Sequence, residues 1–323
     1  MKMSILSVFT TITAITFGHA FASEFPTRPI RMIVPFNAGG TATILARAVS
    51  SHAEPILGQQ IVIDNRGGAN GIIGTQIVVD AAPDGYTLLH VSTSIAINPS
   101  IYKKLPYDTL KDLSPISFVA LGSGYVLLAN PTFAGKSVKD LIAIAKSPDK
   151  KVNYGSGGLG NSTHLIAEMF SKAADIKMTH VAYKGVAPAI NAVLGGEVQI
   201  MFIPPTVAVA HIKSGKVRAL GFTGKSRWSV LPDVPTIDES GLKGFSKDSG
   251  WNLWLAPAKT PPNVLKRLQQ AARTSVHTPK VHGILQAGGY DPYGNTPEEA
   301  RKFLKSEIDL YQGIVRAVGI QPN

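Results

Sequence analysis

Short runs of β-branched and other apolar residues alternate along the chain with segments whose apolar positions recur every three or four residues. Ile30 to Val34, Ile61 to Asp64, Tyr86 to Val91, Val126 to Ala129, Thr179 to Ala182, Val198 to Ile203 and Arg218 to Thr223 have the length and composition of strands. Between them, Ile44, Leu45, Ala48 and Val49 mark one face of a predicted helix, and Leu165, Ile166, Met169 and Phe170 mark another. This alternation predicts the α/β class, with parallel sheet wrapped by helices. Helix starts are signed locally. Ser137 stands three residues before Asp140, and Thr296-Pro297-Glu298-Glu299 offers an N-cap, a proline at the first helical position and a capping glutamate. Phe303, Leu304, Ile308, Tyr311, Ile314 and Val315 then repeat at helical spacing, which predicts a closing helix packed along one face.

Glycine and proline punctuate the chain without forming a long linker, and there is no internal repeat or low-complexity tract. Boundaries are predicted near Leu121-Gly122-Ser123-Gly124 and around Gly244 to Gly250. Two crossings make one lobe discontinuous: residues 23–124 plus 247–323 form lobe 1, and 125–246 form lobe 2. Short strands crossing twice would form a hinge beneath a cleft, the geometry of ligand-induced closure. A length of 323 residues exceeds what one simple core usually holds, and 44% hydrophobic with 16% charged residues is a globular composition.

Lys2 precedes an uncharged apolar run from Ile5 to Phe17, and Ala20-Phe21-Ala22 supplies an A-x-A cleavage signal. Residues 1–22 are therefore predicted to be a secretory signal peptide, which places the mature chain in the periplasm. The run is shorter than the roughly 20 residues of a spanning helix, so the mature chain is not expected to be membrane-inserted. With no cysteine, neither disulfides nor a lipid anchor on an N-terminal Cys is available. The charge of +11 is spread singly or in pairs such as Lys103-Lys104 and Lys150-Lys151. No basic stripe forms, which argues against nucleic acid, while a diffuse positive field suits an anionic solute.

Two glycine-rich loops carry the candidate chemistry. Pro35-Phe36-Asn37-Ala38-Gly39-Gly40 joins the first strand to the first helix, so its amides can converge at a helix N-terminus that favours an anion. About 115 residues later, Tyr154-Gly155-Ser156-Gly157-Gly158-Leu159-Gly160-Asn161-Ser162 joins another strand to a helix and adds hydroxyl donors. The second loop also fits G-x-G-x-x-G, but a dinucleotide site wants an acid at the end of the next strand. Here Thr179 to Ala182 ends in Tyr183-Lys184-Gly185. Gly135-Lys136-Ser137 and Gly224-Lys225-Ser226 resemble the end of a P-loop, yet Asn130 and Ala219 stand where its upstream glycine belongs. His277 and His282 lack one-face spacing, and no Cys/His pattern exists, so neither a metal nor another cofactor is expected. Ser156 or Ser162 with His164 could form a nucleophile and base, but no G-x-S-x-G elbow is present, and His164 is read as opening the following helix. Trp251-Asn252-Leu253-Trp254 places two aromatic groups beside the second crossing, one able to cover a ligand and the other to fill core.

A series of short motifs runs in order over nearly the whole mature chain. It includes Pro29-Ile30-Arg31, Val34-Pro35-Phe36, Ala38-Gly39-Gly40, Asp64-Asn65-Arg66, Gly71 with Gly74, Pro83-Asp84-Gly85-Tyr86, Asn98-Pro99, Lys104-Leu105-Pro106-Tyr107-Asp108, Leu194-Gly195-Gly196 and Leu231-Pro232-Asp233-Val234-Pro235. Together they resemble the substrate-binding receptors of tripartite tricarboxylate transporters, the Bug proteins. The resemblance implies a type II periplasmic-binding-protein fold, a monomer without catalytic activity, and delivery of a carboxylate to separate membrane subunits. It also implies that a ligand carboxylate meets Phe36, Asn37, Ala38, Gly39 and Gly40 on one side and Ser156, Gly157, Gly158 and Asn161 on the other. Thr93, Ser94, His164, Tyr183 and Trp251 complete the residues expected at the ligand. Three departures stand out: Thr43 and Ile203 replace acids, and Leu253 replaces a glycine. Two negative charges are thus missing from the expected cleft, which points to a dicarboxylate or an aromatic or alicyclic acid instead of an amino acid. An exported serine hydrolase and a receptor presenting its ligand to a membrane kinase are the alternatives.

Overall fold

The computed structural model describes residues 25–322, so the predicted signal peptide lies outside the described residues. The chain begins with β1 (Ile30–Val34), α1 (Thr41–Leu57), β2 (Ile61–Asn65), α2 (Ile72–Val79), β3 (Thr87–Ser92), α3 (Ser94–Ile101) and β4 (Leu113–Gly122). It then forms β5 (Val126–Ala129), α4 (Val138–Lys146), β6 (Asn153–Ser156), α5 (Ser162–Ala174), β7 (Thr179–Ala182), α6 (Val186–Gly195), β8 (Ile200–Ile203), α7 (Pro205–Lys213) and β9 (Arg218–Phe222). It closes with β10 (Trp251–Pro257), α8 (Pro262–Val276), α9 (Pro279–Ala287), β11 (Tyr290–Pro292) and α10 (Pro297–Ala317).

These strands make two sheets. A six-stranded sheet runs β11-β4-β10-β3-β1-β2 and a five-stranded sheet runs β7-β6-β8-β5-β9. The chain leaves the first sheet after β4 and returns to it with β10. In the first sheet β1 is parallel to both β2 and β3, whereas β10 enters antiparallel between β3 and β4. In the second, β6 is parallel to β7 and β8, and β5 lies antiparallel between β8 and β9. Each sheet is buried on both faces. Ile30, Met32 and Leu88 pack with Leu45 and Leu268 on one side of the larger sheet, while Ile33, Leu89 and Leu253 pack with Leu304 on the other. Tyr154, Ile200 and Phe170 form one layer of the smaller sheet, and Val126, Met201 and Ile190 form the other.

The predicted caps form: the Ser137 hydroxyl accepts from the Asp140 amide, and Thr296 with Glu299 makes a reciprocal capping box. β4, β10 and β11 add to the strands predicted from the sequence, and β6 is the strand implied before the second loop. β4 contains Pro115, which removes a ladder donor. The register with β10 shifts between Trp254 and Leu255, so that Leu255 pairs with Pro115 and the proline is absorbed at an irregularity.

Inside the larger sheet a buried polar chain links core to cleft. Trp254 Nε1 donates to His90 Nδ1 at 3.0 Å, and His90 Nε2 lies 3.2 Å from Asn252 Oδ1. The indole donor fixes the neutral tautomer, so His90 Nε2–H donates to Asn252. Burial drives the His90 pKa down to about 4. In the unfolded chain the same ring titrates near 6.5, so its contribution to stability is complete above that pH and drains away as the pH falls toward 4. The expected loss across this window is roughly 3 kcal/mol, at 1.36 kcal/mol per unit. Urea unfolding from pH 7 to pH 4.5 measures it, and His90→Gln should give a shallower pH dependence by about one proton.

Candidate functional site

In a parallel arrangement the helices that follow neighbouring strands all begin at the same sheet edge. Here β1 and β3 lead into α1 and α3, and β6, β7 and β8 lead into α5, α6 and α7. All five helix starts reach one pocket between the sheets: Gly40, Thr41 and Ala42 from α1, Thr93 from α3, Asn161, Ser162 and Thr163 from α5, Val186 from α6, and Pro204 from α7. Phe36, Asn37, Ser92, Ser249, Trp251, Asn252 and Tyr290 complete the wall. The pocket holds about 50 Å³ of free volume, and among the described residues no charged side chain lines it.

Four of the five helices, α1, α3, α6 and α7, have no side-chain N-cap. Their first-turn amides therefore lack the partner that a capping hydroxyl or amide would supply. Two buried hydroxyls on the wall, Thr41 Oγ1 and Ser249 Oγ, also have no hydrogen-bond partner among the described residues. The site thus concentrates neutral donors and positive helix ends without a cationic side chain. That is a setting for an anion.

The first loop is stapled from behind. Asp64 is clamped by Arg31 at 2.6 Å and Arg66 at 2.9 Å, and the Arg31 hydrogen bond leads the causes that hold its carboxyl below the ordinary range. The adjacent Asn65 Nδ2 donates to Phe36 O at 2.9 Å and to Thr43 Oγ1 at 2.8 Å, tying the loop to the first turn of α1. A side chain at Gly67 would meet Asn37 Oδ1 at 2.4 Å, so glycine permits Asn37 to lie where its Nδ2 donates across the cleft to Lys184 O at 2.9 Å.

The second loop is built differently from its glycine-rich appearance. Gly157 N donates to Thr163 Oγ1 at 2.9 Å, Gly158 N to Ser156 Oγ at 3.1 Å, and Gly160 N to His164 Nδ1 at 3.1 Å. These amides are consumed within the loop, which presents Asn161, Ser162 and Thr163 to the pocket instead. The Asn161 side chain caps α5 through Thr163 N and reaches Asn70 Oδ1, in the turn between β2 and α2, at 3.4 Å.

Of the residues predicted at the ligand, Phe36, Asn37, Gly40, Thr93, Asn161 and Trp251 line the pocket. Ala38 and Gly39 form the exposed tip of the first loop. Ser94 is buried at the start of α3 with an unpartnered hydroxyl. Ser156, Gly157 and Gly158 belong to the second loop but not to the pocket lining, His164 is buried behind that loop, and Tyr183 turns its hydroxyl to Glu197 at 3.2 Å. Thr43, Ile203 and Leu253 each adjoin a lining residue, namely Ala42, Pro204 and Asn252, but are themselves packed inward. Ser156 is fully buried and shares a 2.5 Å hydrogen bond with His180, not with His164. Burial lowers both imidazoles, His164 to about 3 and His180 to about 4.

Residues not predicted from the sequence include Thr41, Ser249, Asn252, Tyr290 and Glu307. Thr41 could have been found as the first helical residue after the loop. The others depend on the chain's return. Trp251 Nε1 donates to Glu307 Oε2 of α10 at 2.6 Å, and burial pushes that carboxyl up. Trp251 N also donates to Thr93 Oγ1 at 3.2 Å, joining two wall residues directly.

The family model for the tripartite tricarboxylate transporter family receptor matches residues 45–320. BugT of Bordetella pertussis is 35% identical over 300 residues, covering 92% of this chain and 91% of BugT. The solved structure of Rpa4515 from Rhodopseudomonas palustris with adipate superposes with a TM-score of 0.89 at 29% identity, covering 93% of this chain and 100% of that one. MatC from the same organism, solved with malate, gives 0.82 at 28% identity, covering 90% and 100%.

Gly39 supplies a direct probe of the first loop. Its φ is +86°, and an added Cβ would lie 3.8 Å from Ala187 Cβ across the cleft. Gly39→Trp is expected to wedge the two sheets apart, raising the radius of gyration in small-angle scattering. Gly39→Ala should leave the envelope unchanged and cost only about 1–2 kcal/mol of left-handed backbone strain in urea unfolding.

Proposed function

Because the chain belongs to the tripartite tricarboxylate transporter receptor family, we propose that it is a periplasmic receptor that clamps a short dicarboxylate and delivers it to the membrane subunits of a tripartite transporter. Lobe 1, residues 23–124 and 247–323, closes on lobe 2, residues 125–246. The observation that carries this reading is the convergence of five helix N-termini on one pocket free of charged side chains.

The physical logic is replacement of water. A carboxylate entering the cleft loses its hydration, and the loss is tolerable only if equivalent donors await it. Uncapped amides and the Thr41 and Ser249 hydroxyls provide them, and each helix end adds a partial charge of up to about +0.5. With donors arriving from both lobes, a bound anion favours the closed arrangement over the open one. Two carboxylates exploit the two-sided field better than one. An ammonium group finds no carboxylate in the lining, which disfavours amino acids. The adipate and malate complexes of the two similar proteins support a dicarboxylate. Phe36, Val186, Pro204 and Trp251 supply an apolar side for the ligand's carbon chain.

Of the two serines in the hydrolase reading, Ser156 is fully buried, and Ser162 reaches the pocket but His164 has its Nδ1 engaged by Gly160 N. A thermal-shift panel tests the proposal: adipate or malate at one hundred times its dissociation constant should add about 2.7 kcal/mol and raise the midpoint by several degrees. Amino acids and amines should leave it unmoved. The reading fails if no dicarboxylate shifts the midpoint, or if the ligand is recovered chemically altered.

A further inference from the structure

Beneath the second loop two imidazoles stack face to face. His164, in the first turn of α5, and His180, on β7, have ring centroids 3.9 Å apart and planes 13° apart. Tyr154 of β6 stacks on His180 at 5.0 Å. Each imidazole holds a different limb of the loop. His164 Nδ1 accepts from Gly160 N at 3.1 Å, just before Asn161. His180 Nε2 shares a 2.5 Å hydrogen bond with Ser156 Oγ, which in turn accepts from Gly158 N at 3.1 Å. His164 is 4% exposed, so this is an interior brace and not a surface contact.

We propose that His164 and His180 are positioning residues for ligand capture: as a neutral stacked pair they brace both limbs of the loop over 156–161 and so hold Asn161 and Ser162 at the pocket. The inference rests on the reading of that pocket as the ligand site. Neutrality follows from geometry. An amide donor faces His164 Nδ1, so a proton there would set two N–H groups against each other, and two imidazolium rings at 3.9 Å would repel. The titratable groups facing the pair are Tyr154 from β6 and Glu168 from α5. Glu168 Oε1 lies 3.9 Å from His164 Nε2 but is engaged by the Tyr154 hydroxyl. Burial keeps both rings uncharged well below their ordinary range. The brace therefore holds at neutral pH and is released by strong acid.

Isosteric variants separate bracing from bulk. Asn at 164 can offer its Oδ1 in place of Nδ1, and Gln at 180 its amide in place of Nε2, whereas Leu at 164 fills space without an acceptor. Without ligand, amide hydrogen exchange at Gly160 and Asn161 should accelerate about tenfold in His164→Leu and return to the wild-type rate in His164→Asn. Imidazole ¹⁵N NMR of the wild-type chain should show His164 Nδ1 unprotonated from pH 8 down to pH 5. With adipate and malate as probes, His164→Leu should lose about tenfold in affinity and His164→Asn less than about threefold. As the pH falls from 5 to 3, wild-type affinity should fall faster than that of the His164→Asn/His180→Gln double variant, which shares only the ligand's own titration. The proposal is overturned by ordinary titration of His164 near 6.5, or by unchanged exchange in His164→Leu. Equal affinity of the Leu and Asn variants would overturn it as well. If exchange and NMR behave as expected while neither probe binds the wild type, the brace stands and the dicarboxylate reading fails.

Discussion

A helix that starts without a cap leaves backbone N–H groups needing acceptors, and this fold gathers several such starts at one point. The cause is topological. β1 and β3 run parallel in one sheet, β6, β7 and β8 run parallel in the other, and the helices that follow them all open onto the space between the sheets. Unsatisfied donors are costly when buried. On the proposed reading a bound anion relieves that cost, and the uncapped amides become its contacts.

Uncapped amides are useful only if the loops bearing them are held still, and much of the remaining polar structure serves that end. The Asp64, Asn65 and Gly67 segment fixes the first loop through Phe36 O and the close approach of Asn37. The second loop is held by Thr163 and the histidine pair. On the returning strand β10, Asn252 is oriented by the Trp254 and His90 chain, and Trp251 by Glu307. Apart from Thr163, which itself lines the pocket, the residues that set these directions stand outside it.

The local part of this was legible in the sequence. Ser137 and Thr296 announce their helices because capping is a contact over three residues, and the β-branched runs announce buried strands because both faces are covered. The first loop was visible as glycine after a strand. The second was visible too, but its glycines do not reveal that Thr163, His164 and Ser156 consume their amides, since that depends on how the loop folds back. β4 was hidden by Pro115, tolerated only because the register with β10 shifts there. Ser249, Asn252, Tyr290 and Glu307 lie in segments whose nearness to the pocket comes entirely from the return of the chain to the first sheet, which no local pattern encodes.

The residues expected to select the ligand illustrate the same boundary. Thr43, Ile203 and Leu253 are each one position from the wall; in an extended strand one position reverses the side chain, and in α1 it turns Thr43 by about 100°. Ile203 belongs to the apolar layer with Val126 and Met201, while Pro204 faces the pocket. Leu253 packs with Phe118, while Asn252 faces the pocket. An acid placed at either inward position would be buried in an apolar layer without a cation, a costly state. The neutral pocket and the apolar residues behind it are therefore consistent features. A wall built from amides and hydroxyls tolerates a hydrophobic second layer, whereas a wall that recognises an ammonium group would need a carboxylate and the polar support to hold it there.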